Sequence, residues 1–206
     1  MEATKINSYT KKYWEELLGG DWTLLLKELL KEDYSKRVID FLQSKRIKTL
    51  DVFYPIKKCS LNNLKIIILT ETPLTNGDYV RIKECIEREY HNGLMIDFDD
   101  SFNFLNNQSV LFLSKSLTIK EHLPQWNKFT TFLINRVCQT NLNVVFFIWD
   151  ETLNVIKEET LKTHIVFSWS HPSSKPFQNW NCPNFKDVDN FFLKTNKDLI
   201  QWSDKI

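Results

Sequence analysis

Glycine is scarce in this 206-residue chain, with 4 in total, and only the pair Gly19-Gly20 interrupts the N-terminal region. No long stretch rich in Pro, Gly or Ser divides the sequence, so it offers no linker between two sizeable domains. Residues 1–206 therefore read as one domain, with 1–60 as its N-terminal helical part. The four cysteines, Cys59, Cys85, Cys138 and Cys182, lie far apart and form no C-x-x-C pair. Nothing in their spacing resembles a zinc site, and they read as reduced core cysteines of a cytosolic protein. Charge of one sign is also lacking: 27 basic residues stand against 26 acidic ones. There is no basic field of the kind that drives non-specific nucleic-acid binding, although backbone N–H groups and hydroxyls can also grip phosphates. Residues 1–12 are polar and hold no apolar signal region, and the longest apolar run, 144–149, is far too short to cross a bilayer. The expected compartment is the cytoplasm, with no membrane, metal or cofactor called for.

What the chain does have is material for a core. It is 42% hydrophobic and carries 15 Phe and 7 Trp. Leu24, Leu25, Leu26, Leu29 and Leu30 repeat at helical spacing behind Asp21, a plausible N-cap. Val38, Ile39, Phe41 and Leu42 mark a second helical face. Tyr54-Pro55 should not lie within a helix, because proline disfavours the α region for the residue before it. The run Leu64–Leu69 is short, apolar and rich in β-branched residues, which predicts a buried strand. A helix follows over Val80–Tyr90. Asp97, Asp99 and Asp100 cluster before Ser101, able to bind a cation or to flank a solvated helix start. Val110–Leu113, Val144–Trp149 and His164–Trp169 read as further strands. Helices are expected from Pro124 through Cys138, after Glu151 to about Thr160, and from Asn184 to Lys194.

Strands alternating with helices predict an α/β fold. The expected architecture is three-layer α/β/α around a central four-stranded, mainly parallel sheet. Ligands of such sheets bind outside the carboxyl ends of the strands. Thr70–Thr75, Ser114–Ser116, Asp150-Glu151 and Ser170–Ser174 should therefore converge on one cleft. The first of these loops is chemically spare: Thr70-Glu71-Thr72-Pro73-Leu74-Thr75 holds one carboxylate and no His, Cys, Lys or Asp.

These strand-end segments resemble those of the family 1 uracil-DNA glycosylases. There an apolar strand leads into Gly-Gln-Asp-Pro-Tyr-His, in the place of Thr70–Thr75. Leu-Leu-Leu-Asn-x-x-Leu-Thr-Val is matched by Val110–Ile119, with Ser114 in the place of the Asn. Gly-Trp-Glu-x-Phe-Thr is echoed by Gln125–Thr130, Leu-Leu-Trp-Gly by Phe147–Asp150, and His-Pro-Ser-Pro-Leu-Ser by His171–Pro176. The resemblance covers about residues 21–202 and implies a uracil-DNA glycosylase-like fold.

The departures bear on function. Thr72 stands where the family has the Asp that positions or activates the attacking water, and a threonine hydroxyl is not anionic at neutral pH. Glu71, one residue earlier, is a possible substitute. Leu74 replaces the Tyr that wards off the thymine methyl. Ser114 replaces the base-reading Asn and offers one directed hydrogen bond in place of a matched pair. Only Asn76-Gly77-Asp78-Tyr79 separates the first loop from the next helix, so the family's stacking Phe and Pro-rich DNA clamp have almost no room. Tyr79 stands there either to stack on a base or as a core aromatic. Asp150-Glu151 put two carboxylates where a phosphate contact belongs. His171 is retained, and the resemblance implies that it donates a hydrogen bond to the base oxyanion. The other histidines, His91, His122 and His164, read as surface or core residues.

The implied catalytic set is thus His171, Glu71 and Thr72, with Leu74, Ser114 and Tyr79 around the base. DNA contacts are expected at Ser116, Ser173, Ser174, Lys175 and Phe177, the Lys175 position being that of the family's intercalating Leu. Three functions stay open. One is a protein that keeps the fold, lacks ordinary uracil excision, and binds DNA or a DNA-mimic inhibitor protein. Another is an active glycosylase with altered base specificity or a preference for single-stranded or flexible DNA. The third is an interaction protein that does not bind DNA at this cleft.

Overall fold

The computed structural model describes residues 20–29, 31–93, 102–141, 143–149, 163–174 and 180–203. Four five-residue strands form one sheet: β1 (Ile66–Thr70), β2 (Val110–Ser114), β3 (Val145–Trp149) and β4 (Ile165–Trp169). Their order is β2-β1-β3-β4 and every pairing is parallel, so the expected mainly parallel sheet is parallel throughout. β1 pairs Thr70 with Ser114 on one side and with Trp149 on the other. The four strand ends therefore share one edge.

Side chains alternate across the strands and feed two separate cores. Ile67, Leu69, Leu111, Leu113, Phe146 and Ile148 face the first layer. That layer holds α1 (Thr23–Leu29), α2 (Asp33–Ser44), α3 (Thr49–Lys58) and α6 (Leu123–Thr140). Ile66, Ile68, Val110, Val145, Phe147 and Trp149 face the second. There lie α4 (Asn76–Tyr90), α5 (Asn103–Asn107), α7 (Asn184–Lys194) and the C-terminal residues Ile200 and Trp202. The three-layer α/β/α architecture follows from this division. Burial of both sheet faces explains why β1 and β3 are continuous apolar runs with every residue buried.

Three local expectations need correction. Asp21 does not cap α1: its carboxylate accepts from the Ser60 hydroxyl at 2.8 Å and the Asn62 N–H at 3.0 Å, tying the N-terminal helices to the approach of β1. Pro55 does lie within a helix, α3. Its ring has no N–H to give and packs toward the end of β2, where tertiary contact outweighs the local preference. The helix after the first loop starts at Asn76 and not at Val80, because Thr75 and Asp78 close a capping box around Asn76-Gly77. Leu30, the aspartates at 97, 99 and 100 with Ser101, the pair Asp150-Glu151 and the helix expected up to residue 160 lie outside the described residues. All four cysteines are buried and free. No helix among the described residues is long and apolar enough to cross a membrane.

Candidate functional site

β1 delivers the first loop to the sheet edge between its neighbours β2 and β3. The chain runs from β1 outward to β2, then back past β1 to β3 and β4. Such a reversal of strand order opens a crevice at the strand ends. The loop is fastened mainly on the β2 side. The Thr70 hydroxyl donates to the Thr72 carbonyl at 2.7 Å and lies 3.0 Å from the Ser114 hydroxyl. Lys115 N–H donates to the Thr70 carbonyl and Ser116 N–H to the Glu71 carbonyl, at 2.8 and 2.9 Å. The turn after β2 is held in place by α6: Trp126 Nε1 donates to Thr118 Oγ1 at 2.9 Å and Thr130 Oγ1 to the Lys115 carbonyl at 3.0 Å. The Gln125–Thr130 segment thus acts as a brace for this turn.

Glu71 follows the same bias. Its carboxylate meets Lys120 Nζ at 2.8 Å, in the short helical turn Lys120–His122 that leads into α6. Among the site residues named from the sequence, Ser116 is fully buried and its hydroxyl donates to the Ile119 carbonyl at 2.6 Å. In this structure it is a strut of the turn, its hydroxyl proton committed to a backbone acceptor.

The base-side residues separate. Ser114 lines a cavity of about 100 Å³ with Val52 and Pro55 of α3, Pro73 of the first loop, Phe112 and Leu117. Leu74 and Tyr79 pack instead against the second core. The Tyr79 ring stacks on Phe102 at 5.3 Å and 28°, and Phe102 on Phe104 at 6.1 Å and 29°. Burial raises the Tyr79 phenol pKa, and nearby Asp78 raises it further. Tyr79 packs as a core aromatic in this arrangement, away from the cavity beside Ser114.

His171 follows β4, at the opposite edge of the sheet from β2. Ser173 N–H donates to its Nδ1 at 3.1 Å, and Ser174 N–H to its carbonyl at 2.8 Å. A ring nitrogen that accepts carries no proton, so this bond assigns the proton of the neutral imidazole to Nε2. The residue facing His171 is one that the sequence had not marked. Asp78 Oδ1 lies 3.8 Å from His171 Nδ1 and accepts a short hydrogen bond from the Ser173 hydroxyl. Asp78 is 1% exposed, a buried carboxylate at the start of α4. Burial pushes its pKa up, but the hydrogen bonds from Ser173 and Thr75 outweigh this and hold it below the ordinary value. The signal for Asp78 was present as Thr75-x-x-Asp78, the spacing of a capping box; the intervening Asn-Gly pair reads locally as a turn and hid it.

The first loop therefore turns its carboxylate toward β2, while the histidine on the β4 side is met by α4. Lys175 and Phe177 lie outside the described residues. Among the described residues no cluster of His, Cys, Asp and Glu has the makings of a metal site. Burial pushes the Cys59 and Cys138 pKa values up to about 12, with Asp21 adding to the rise at Cys59, which disfavours their thiolate forms.

No family model matches the chain. Its sequence is 23% identical over 224 residues to a uracil-DNA glycosylase of Francisella tularensis subsp. holarctica, covering 88% of this chain and 98% of that one. A uracil-DNA glycosylase of Francisella philomiragia is 24% identical, covering 88% and 99%. Among solved structures, mimivirus uracil-DNA glycosylase superposes with a TM-score of 0.74 at 14% identity, over 94% of this chain and 90% of the other. A variant of mimivirus UNG in complex with UGI gives 0.74 at 15%, over 94% and 92%. The sheet order, the ordered strand-end motifs and relatives aligned along nearly their whole length agree: the chain has the uracil-DNA glycosylase fold and is similar in sequence, at low identity, to enzymes of that superfamily.

Proposed function

We propose that this protein keeps the glycosylase fold as a binding module and lacks ordinary uracil excision. Its ligand is DNA, single-stranded or flexible, or a protein that mimics DNA. One observation carries the reading. The first loop presents no free carboxylate toward His171: Thr72 stands at the position of the family's Asp, and the neighbouring Glu71 is ion-paired to Lys120. Cleavage of an N-glycosidic bond builds positive charge on the sugar, and a neutral threonine hydroxyl gives that charge little stabilisation. The UGI complex of the mimivirus relative supports the inhibitor-type partner as a class to test.

The test is an abasic-site assay on single- and double-stranded uracil DNA, run beside a gel shift at two salt concentrations. The wild type should leave uracil in place and bind DNA with salt-dependent affinity. Thr72→Asp should raise excision above the wild-type level by restoring the carboxylate. Robust wild-type excision that is lost in Thr72→Ala and His171→Ala overturns the proposal.

A second reading has its own support. The Ser173 N–H leaves the His171 proton on Nε2, the form suited to donating to a departing base. In that reading the protein is a glycosylase of altered base specificity, opened by Leu74 in place of the family's Tyr. A panel of damaged-base oligonucleotides discriminates the two. Cleavage of one of them that is lost in His171→Ala favours the second reading, and an inert panel removes it.

A further inference from the structure

Asp78 divides its two oxygens between two tasks. Oδ2 accepts from the Thr75 N–H at 2.8 Å and from the Thr75 hydroxyl at 2.7 Å, which closes the capping box on α4. Oδ1 serves residues more than 90 positions away: the Ser173 hydroxyl donates to it and His171 Nδ1 stands 3.8 Å off, with the Arg81 guanidinium also at 3.8 Å. Helix capping needs only the first set. The second set joins the segment directly after the first loop to the turn after β4, at the point where the chain has no intervening residues between loop and helix.

We infer that Asp78 is the positioning residue of the site, holding Ser173 so that its backbone N–H fixes the tautomer and direction of the His171 ring. The chain of contacts is Asp78 Oδ1 to Ser173 Oγ, then Ser173 N–H to His171 Nδ1. Ser173 is itself solvent-exposed. Without its anchor its hydroxyl turns to water, the short turn loosens, and Nδ1 loses the donor that keeps its lone pair occupied. Both neutral tautomers then become populated. Asp78 acts through Ser173 and does not itself reach a ligand, because it is buried beneath the site. The inference rests on His171 being the acting side chain of the site, as in the functional reading above.

The experiment is 15N NMR of the full-length protein labelled at histidine, at a pH where the His171 ring is neutral. The wild type should show widely separated Nδ1 and Nε2 shifts, as for a single Nε2–H tautomer. Ser173→Ala and Asp78→Ala should draw the two shifts together toward the average of mixed tautomers. Ser173→Thr, which keeps the hydroxyl, should restore the separation. Thr75→Ala removes the cap alone and should leave the pattern intact while lowering the melting temperature. Unchanged wild-type separation in Ser173→Ala overturns the inference, and so does collapse in Thr75→Ala. Ser173→Ala decides the matter even if Asp78→Ala does not fold. The spectrum does not depend on whether uracil is excised, so failure of this inference and failure of the functional reading are told apart.

Discussion

At the scale of single residues, the site is governed by two carboxylates with opposite settings. Glu71 is paired with exposed Lys120. Solvent screens such a pair, so Lys120→Ala should lower stability by no more than about 1 kcal/mol. It also releases Glu71, and in the abasic-site assay the yield should not rise. A rise would assign water activation to Glu71 and favour the enzymatic reading. Asp78 is buried, and its folded-state pKa is depressed. A depressed carboxyl contributes stability that is fully present above its unfolded pKa, roughly 4. That contribution is lost as pH falls through the lower folded value. Asp78→Asn should therefore cost about 1–3 kcal/mol at pH 7, measured by chemical denaturation. The gap to wild type should narrow once the pH drops below roughly 4. A gap that stays constant from pH 7 to 3 would show that the charge of Asp78 is not what matters. Glu71 was visible in the sequence as the lone carboxylate of its loop. Its partner Lys120 was not, because 49 residues separate them and only the β1–β2 pairing brings their turns together.

At the scale of elements, the strands were legible and the helix starts less so. Each strand shifts by no more than two residues at either end from its expected span. Apolar runs that must be buried on both faces tolerate few alternatives. The helix α3 was missed because Pro55 breaks the local rule. A proline inside a helix costs about 3 kcal/mol relative to alanine, and here its ring also contributes to the wall of the cavity beside Ser114. Pro55→Ala regains the helix hydrogen bond and loses part of that wall, so a net stabilisation of about 1 kcal/mol is expected. For a protein of this size that is a rise of roughly 2–4 °C in melting temperature. A fall would show that the ring's packing outweighs the missing bond. The start of α4 was misplaced for the reverse reason: Asn76-Gly77 look like a turn in isolation, and the capping box that absorbs them depends on Asp78 bending back to Thr75.

At the scale of the whole molecule, the second core closes around the C-terminal segment. Trp202 stacks on Phe147 at 6.1 Å and 24°, meets Phe185 edge-on at 4.8 Å, and donates from Nε1 to Asp189 at 3.1 Å. Gln108 reinforces this closure, its side-chain amide bonding both the N–H and the carbonyl of Gln201. Trp202→Ala should cost about 3–5 kcal/mol, and a loss under 1 kcal/mol in a denaturation curve would show that this segment is not part of the cooperative core. The sequence by itself determined the layer architecture, the order of the strand-end loops and the presence of Glu71 as the lone carboxylate of the first loop. Periodicity fixes which elements form, and residue identity fixes which charges exist. Only the tertiary structure decided where those charges point. Glu71 could have faced His171 or turned away, and the choice lay with Lys120 on another turn. Asp78 could have been a helix cap and nothing more, until the fold brought Ser173 and His171 against its second oxygen. Such pairings are set by sheet order and crossover, which bring together residues that no local pattern connects.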